Sequence, residues 1–141
     1  MKMSIVFGAA ALVAASAVPA SAYTGAYATA PVYMRTGPDI AYPPVAVVPG
    51  GAPVVVYGCL SGWQWCDVSW GPNRGWIAGM YLSAQWENRP MPFYNAAPRY
   101  NVPVIMFNFG PYWDSHYRYR PWYNRRDHWN RWDHGNRRWR R

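Results

Sequence analysis

From Tyr27 to Ser83 the chain runs in short β-branched and aromatic stretches broken by Gly/Pro turns at near-regular spacing. Val45 to Val48 is followed by Pro49-Gly50-Gly51, then come Val54 to Tyr57, Trp65 with Val68 three later, Gly75-Trp76-Ile77, and Tyr81-Leu82. Short strands at this spacing, each ended by turn-forming residues, predict an all-β fold built as a small antiparallel β-barrel over residues 23–84. Side chains alternate between the two faces of a strand, so Trp65 and Val68 point opposite ways. With Val68 in the core, Trp65 lies on the outer face.

A different pattern precedes the barrel. Lys2 gives a positive start, Ile5 to Ala15 is an apolar run too short to span a bilayer, and Ala20-Ser21-Ala22 has the small-x-small form of a signal-peptidase site. Residues 1–22 therefore read as a cleaved signal peptide, with Tyr23 as the first mature residue and a periplasmic or secreted destination. The first cysteine is Cys59, which argues against a lipoprotein anchor, and no transmembrane segment is expected in the mature chain.

Length and cysteine content sharpen the barrel. A segment this short sits near the size where burial alone is marginal, and an exported protein can use a disulfide. Cys59 and Cys66 are the two cysteines of the chain. On the arms of a hairpin centred on Gly62-Trp63 they face each other in the same register as Ser61 and Gln64, with Gly62 supplying any positive φ. Facing Cα atoms of antiparallel strands lie within disulfide range, so a structural hairpin disulfide is expected. A catalytic or metal-binding thiol would need a nearby His, and the barrel segment has none.

The order Met34-Arg35-Thr36-Gly37-Pro38, Tyr42-Pro43, Val45 to Val48, Pro49-Gly50-Gly51, Gly75-Trp76-Ile77 and Tyr81-Leu82 resembles a bacterial SH3-like (SH3b) domain. Tyr33-Met34 stands where the family usually has Asn-Val, and Met34 can fill the same core slot. Gly37-Pro38 ends the first strand of the pattern, Pro43-Pro44 stiffens the long loop, and Gly75 lets Trp76 pack closely. The resemblance implies a non-catalytic module that holds peptides or cell-wall strands in an aromatic groove. The groove candidates are Tyr42, Trp63, Trp65, Trp76 and Tyr81, of which Trp63 is extra to the family positions. The alternative reading of these rings is core or half-buried cover. No active site is expected, since Asp39, Asp67, Glu87, Asp114, Asp127 and Asp133 are scattered singly and the three His lie in the tail. Neither a cofactor nor a metal is called for. Asp127-His128, Asp133-His134 and His116 supply ligand atoms without a scaffold, and six residues put His128 and His134 on nearly opposite helix faces.

Composition shifts at Gln85. Residues 85–111 carry Pro90, Pro92, Pro98, Pro103 and Pro111 among aromatics and Asn, which predicts a Pro-rich extended linker. Within it Val102 to Phe109 is apolar enough to lie as an edge strand on the barrel or along its groove, which would close the groove in cis.

The tail, residues 112–141, holds nine arginines against three aspartates, with five Trp and four Tyr, so its net +6 (9 − 3) is nearly all of the +7 (13 − 6) of the mature chain. It is weakly repetitive: Trp129-Asn130-Arg131-Trp132 is echoed by Asn136-Arg137-Arg138-Trp139. It reads as disordered or as a short helix from Pro121 to His134, stopped by Gly135, with Trp122, Trp129 and Trp132 near one face. Arg presents planar donors to phosphate and carboxylate, and Trp stacks on sugars or settles at a membrane boundary. Arg118, Arg120, Arg125, Arg126, Arg131, Arg137 and Arg138 thus form a candidate anion-binding surface, against the alternative of a solvated tail that only aids solubility. The same interleaving suits single-stranded nucleic acid, but export argues against that partner. The sequence therefore predicts a non-catalytic cell-envelope module holding peptidoglycan or a wall-associated peptide, with tail-assisted binding to anionic surface. The alternative is an SH3-like protein-interaction module or secreted effector that binds a Pro-rich protein segment.

Overall fold

A computed structural model describes residues 23–137, with side chains through Asp133; the signal-peptide expectation for residues 1–22 lies outside the described residues. Eight strands form one curled antiparallel sheet, a half-barrel consistent with an SH3-like fold. They are β1 (Thr24–Ala28), β2 (Val32–Arg35), β3 (Pro44–Val48), β4 (Pro53–Cys59), β5 (Trp65–Trp70), β6 (Asn73–Ala78), β7 (Leu82–Trp86) and β8 (Arg89–Pro92), in the order β3-β2-β6-β5-β4-β1-β7-β8. Period-2 burial puts Met34, Val48, Val54, Val56, Cys66, Val68, Ile77 and Leu82 into one core, while Trp65 is half-buried on the opposite face from Val68.

Met34 is fully buried, as expected of the residue filling the family's core slot. Gly75 serves a different neighbour from the one anticipated. A Cβ there would meet Met34 Cγ at 2.5 Å and the Arg35 carbonyl at 2.7 Å, so the glycine makes room for β2 rather than for Trp76. Cys59 and Cys66 are register partners on β4 and β5 and are joined by a disulfide, both fully buried. The intervening turn is closed by the Trp63 N–H donating to the Leu60 carbonyl at 3.0 Å, with Gly62 at φ 83°.

Residues 85–111 depart from the extended linker of the sequence reading. Arg89–Pro92 pairs with β7 through a two-residue turn in which Glu87 and Asn88 both have positive φ (49° and 63°). A short helix, α1 (Phe93–Ala96), follows, and Phe93, Ala96, Ala97 and Val102 complete the barrel core. Next the chain crosses the end of β4, where Val104 pairs in parallel with Cys59. The Cys59 N–H donates to the Pro103 carbonyl at 2.9 Å and the Ile105 N–H to the Cys59 carbonyl at 2.8 Å. Pro103 is tolerated because this edge uses its carbonyl and needs no N–H from it.

Through residue 137 the described part of the tail is helical, the second of the two forms its sequence allowed. Helix α2 (Phe109–Tyr117) buries Phe109, Trp113 and Tyr117, spaced i, i+4, i+8 on one face. Pro111 stands in its first turn, where a missing N–H costs nothing, so it does not break the helix. The later helix, α3 (Arg126–Arg137), starts after a 3-10 turn at Tyr123–Arg125, not at Pro121, and runs through Gly135. Trp129 and Trp132 share a face and pack on Tyr42, whereas Trp122 lies before the helix against Trp113.

A polar clamp fixes α2 to the β5-β6 hairpin. Arg74 makes a bidentate ion pair with buried Asp67 at 2.7 and 2.8 Å, and the guanidinium lies 3.5 Å from the Tyr57 ring centroid. Tyr112 donates to Asp67 Oδ1 at 2.7 Å and Tyr117 to the Arg74 carbonyl at 2.9 Å. Across the helices, Arg126 pairs with Asp114 at 2.7 and 3.1 Å, and Tyr123 donates to the same carboxylate at 2.8 Å.

Two outcomes test this frame. Replacing both cysteines, Cys59→Ala with Cys66→Ala, should lower unfolding stability by about 2–3 kcal/mol on the loop-closure argument; an unchanged urea midpoint would remove the staple from the account. Arg74→Met strands the Asp67 carboxylate and should cost about 2–3 kcal/mol in the same measurement. Asp67→Asn should cost less, and equal losses would mean that the hairpin does not depend on pairing that charge.

Candidate binding site

The five groove candidates separate into two groups. Tyr42 and Trp76 each pack against Phe107 and are buried, 5% and 1% exposed. Trp63 and Trp65 are half-buried at the β4-β5 end, and Tyr81, 42% exposed, follows the 3-10 turn after β6. Tyr42 lies flat over Gly37, where a Cβ would meet its ring at 2.6 Å. Its hydroxyl bonds to the buried Asp133 carboxylate on α3.

The groove between Tyr42 and Trp76 is filled by the chain's own Phe107. Its ring meets Tyr42 edge-on at 5.7 Å and Trp76 edge-on at 5.4 Å. Phe109 stacks on Tyr42 at 6.2 Å, Trp132 meets it edge-on at 4.9 Å, and Tyr112 covers Trp76 at 5.7 Å. Segment 102–109 therefore does both things its apolar pattern allowed: it pairs with the sheet edge at Val104 and occupies the groove with Phe107.

A cleft of about 340 Å³ remains open beside the filled groove, lined by Thr36, Pro43, Pro44, Trp113, Trp122, Arg125 and Trp129. It is built where the 36–44 loop meets the two C-terminal helices. Trp113 is held by donating its Nε1–H to the Tyr123 carbonyl at 3.1 Å. Trp122 and Trp129 are half-buried, and Arg125 is exposed at the rim. Thr36 is 1% exposed; its N–H donates to the Pro43 carbonyl at 3.0 Å, but its hydroxyl has no hydrogen-bond partner. Reading the sequence missed this site because Pro111 hid the helical spacing of Phe109, Trp113 and Tyr117. That spacing was the signal available.

The arginines also divide. Arg120 donates to Asn73 Oδ1 at 2.7 Å and Arg126 to Asp114, so both serve the fold. Arg118, Arg125 and Arg131 are exposed. The side chain of Arg137 and all of Arg138 lie outside the described residues.

Burial pushes the phenols of Tyr112 and Tyr117 up, so both remain protonated donors in the clamp. The hydrogen bond from Arg126 holds the Asp114 carboxyl below its ordinary value. On α2, burial and then the nearby Arg74 charge hold the His116 imidazole below its ordinary 6.5, only partly opposed by Asp67. A histidine with a lowered folded pKa stabilises fully above its unfolded value, and that contribution is lost as pH falls through 6.5. The lowered Asp114 acts with the same sign at lower pH. The helical cover should therefore loosen on mild acidification. Denaturant midpoints compared between about pH 7.5 and 5.5 should fall for the native chain and fall less for His116→Gln; parallel profiles would assign the effect elsewhere.

Comparison with protein families matches residues 30–83 to the bacterial SH3 domain. No curated protein and no solved structure matches the chain. The matched segment holds Met34, Gly37, Tyr42, Gly75, Trp76 and Tyr81, whereas Trp113, Trp122, Arg125 and Trp129 of the cleft lie beyond it. The β-rich curled sheet and the matched segment agree, and residues 30–83 of the chain are a bacterial SH3 (SH3b) domain.

Proposed function

We propose that this chain is a non-catalytic binding module of the cell envelope, holding peptidoglycan or a wall-associated peptide while its tail engages anionic surface. A bacterial SH3 domain is a binding module, often associated with the cell wall. The Cys59–Cys66 bond fits an oxidising compartment, and among the described residues no helix is long and apolar enough to cross a membrane.

One observation carries the reading. The basic aromatic tail is packed into the domain by Asp67, Arg74 and Tyr112, so the exposed Arg118 and Arg131 are held on a folded body rather than on a loose chain. Fixed charges beside aromatic rings suit a repetitive anionic surface, and they act through a field that salt screens. Titratable groups that a hydrolase would use are taken up elsewhere: Asp67 and Asp114 each hold an arginine and a tyrosine hydroxyl.

Co-sedimentation of the oxidised chain with protein-free peptidoglycan sacculi tests this directly. The chain should pellet at low salt and progressively less as salt rises. Arg118→Gln combined with Arg131→Gln should weaken pelleting about fivefold at low salt. A chain that stays in the supernatant at low salt would overturn the wall reading in favour of a protein partner.

A further inference from the structure

We propose that the cleft between the 36–44 loop and the C-terminal helices is a saccharide site, specific for a sugar ring that bears a carboxylate. This deepens the envelope-binding reading and rests on it for the source of the ligand. Three features of the cleft each select part of that chemistry.

The walls are flat and apolar. Trp122 and Trp129 are half-buried and share the lining with buried Trp113 and the rings of Pro43 and Pro44. Rigid rings give large contact area at low entropy cost, and the C–H face of a pyranose is a flat apolar partner for them. A purely apolar ligand is disfavoured by the second feature, the Thr36 hydroxyl, which is buried against the cleft with no partner. Buried polar groups are nearly always satisfied, so an orphan hydroxyl lining a cavity asks for a ligand group that donates or accepts. A sugar hydroxyl does both. The third feature is Arg125 at the rim. Its neighbour Arg126 is spent on Asp114, while Arg125 is exposed beside the open cleft. A guanidinium there selects a carboxylate by planar paired donation.

Size restricts the ligand further. At about 340 Å³ the cleft stands at the small end of small-molecule sites, which run from about 300 to 1,000 Å³. It fits one or two sugar rings and is short for an extended Pro-rich strand. None of the residues on the helical side belongs to the segment that matches the bacterial SH3 domain, so the site is an addition to that domain.

The test uses variants that spare the fold. Thr36→Val keeps the shape and deletes the orphan hydroxyl, so the free protein should be as stable as before or more so. Arg125→Gln removes an exposed charge. The probes are N-acetylmuramic acid, an amino sugar with a carboxylate, and N-acetylglucosamine, its neutral counterpart, titrated into the full oxidised chain with tryptophan fluorescence and saturation-transfer NMR as readouts. The carboxylated sugar should bind several-fold more tightly than the neutral one. Arg125→Gln should erase that preference, and Thr36→Val should weaken both sugars. The proposal is overturned if neither sugar binds, if both variants bind like the native chain, or if a proline-rich peptide displaces the sugar while binding more tightly. Sacculi pelleting of the Thr36→Val protein separates the two readings. Retained pelleting without any sugar binding would sink the cleft proposal alone, and loss of pelleting by the native chain would sink the wall reading itself.

Discussion

Phe107 standing edge-on between Tyr42 and Trp76 is the contact on which the rest of the molecule depends. Large rings on the outer face of a small sheet form an apolar patch that water covers badly, and this chain covers it from within. Once Phe107 is in place, Phe109, Tyr112 and Trp113 follow on the same helix start, and Trp129 and Trp132 close over Tyr42 from α3. The result is a second core on the far side of the sheet from the first. A domain too small for one core to be generous gains area by having two.

Burying that face imposes demands on the polar groups at its border. Asp67 points outward from β5 and would be stranded under α2 without Arg74 and the Tyr112 hydroxyl. The Tyr42 hydroxyl, carried into the second core with its ring, meets the Asp133 carboxylate. These bonds give direction where ring packing gives mainly area, and they fix which face of each helix turns inward. The two ion pairs, Asp67 with Arg74 and Asp114 with Arg126, therefore set the orientation of the cover.

The sheet was legible because its signals are local. Alternation in Val54 to Tyr57, the turn at Gly62, and the facing of Cys59 with Cys66 each depend on a few neighbouring residues, and each appears as read. The C-terminal half was only partly legible, for the opposite reason. Proline count suggested a linker, yet Pro103 sits at an edge, Pro92 precedes α1 and Pro111 stands in a first helical turn, all positions where proline costs little. Arg/Trp density left the tail as disordered or a short helix, and what decides between them is a face of the sheet far back in the chain: Tyr117 is buried and bonds to the carbonyl of Arg74, 43 positions earlier. Of the groove candidates, Tyr42 and Trp76 both lie against Phe107, and what fills the space between them could not be read from either position. Segment 102–109 carried the clue in its apolar pattern, and only tertiary pairing at Cys59 decides how it lies.

A groove filled in this way leaves its border as the open surface. The rings that the bacterial SH3 pattern shares with this chain, Tyr42 and Trp76, are now interior, and the surface next to them is made by residues from outside the matched segment. The C-terminal segment then has two sides with different work: Phe109, Trp113 and Tyr117 face in from α2 and Trp132 and Asp133 from α3, while Arg118 and Arg125, between the helices, and Arg131, on α3, are exposed. Interleaving Arg with Trp is what such a helix requires, because inward and outward positions alternate every two or three residues. The composition that looked like a feature of a solvated tail is therefore the sequence form of a cover that packs on one side and carries charge on the other.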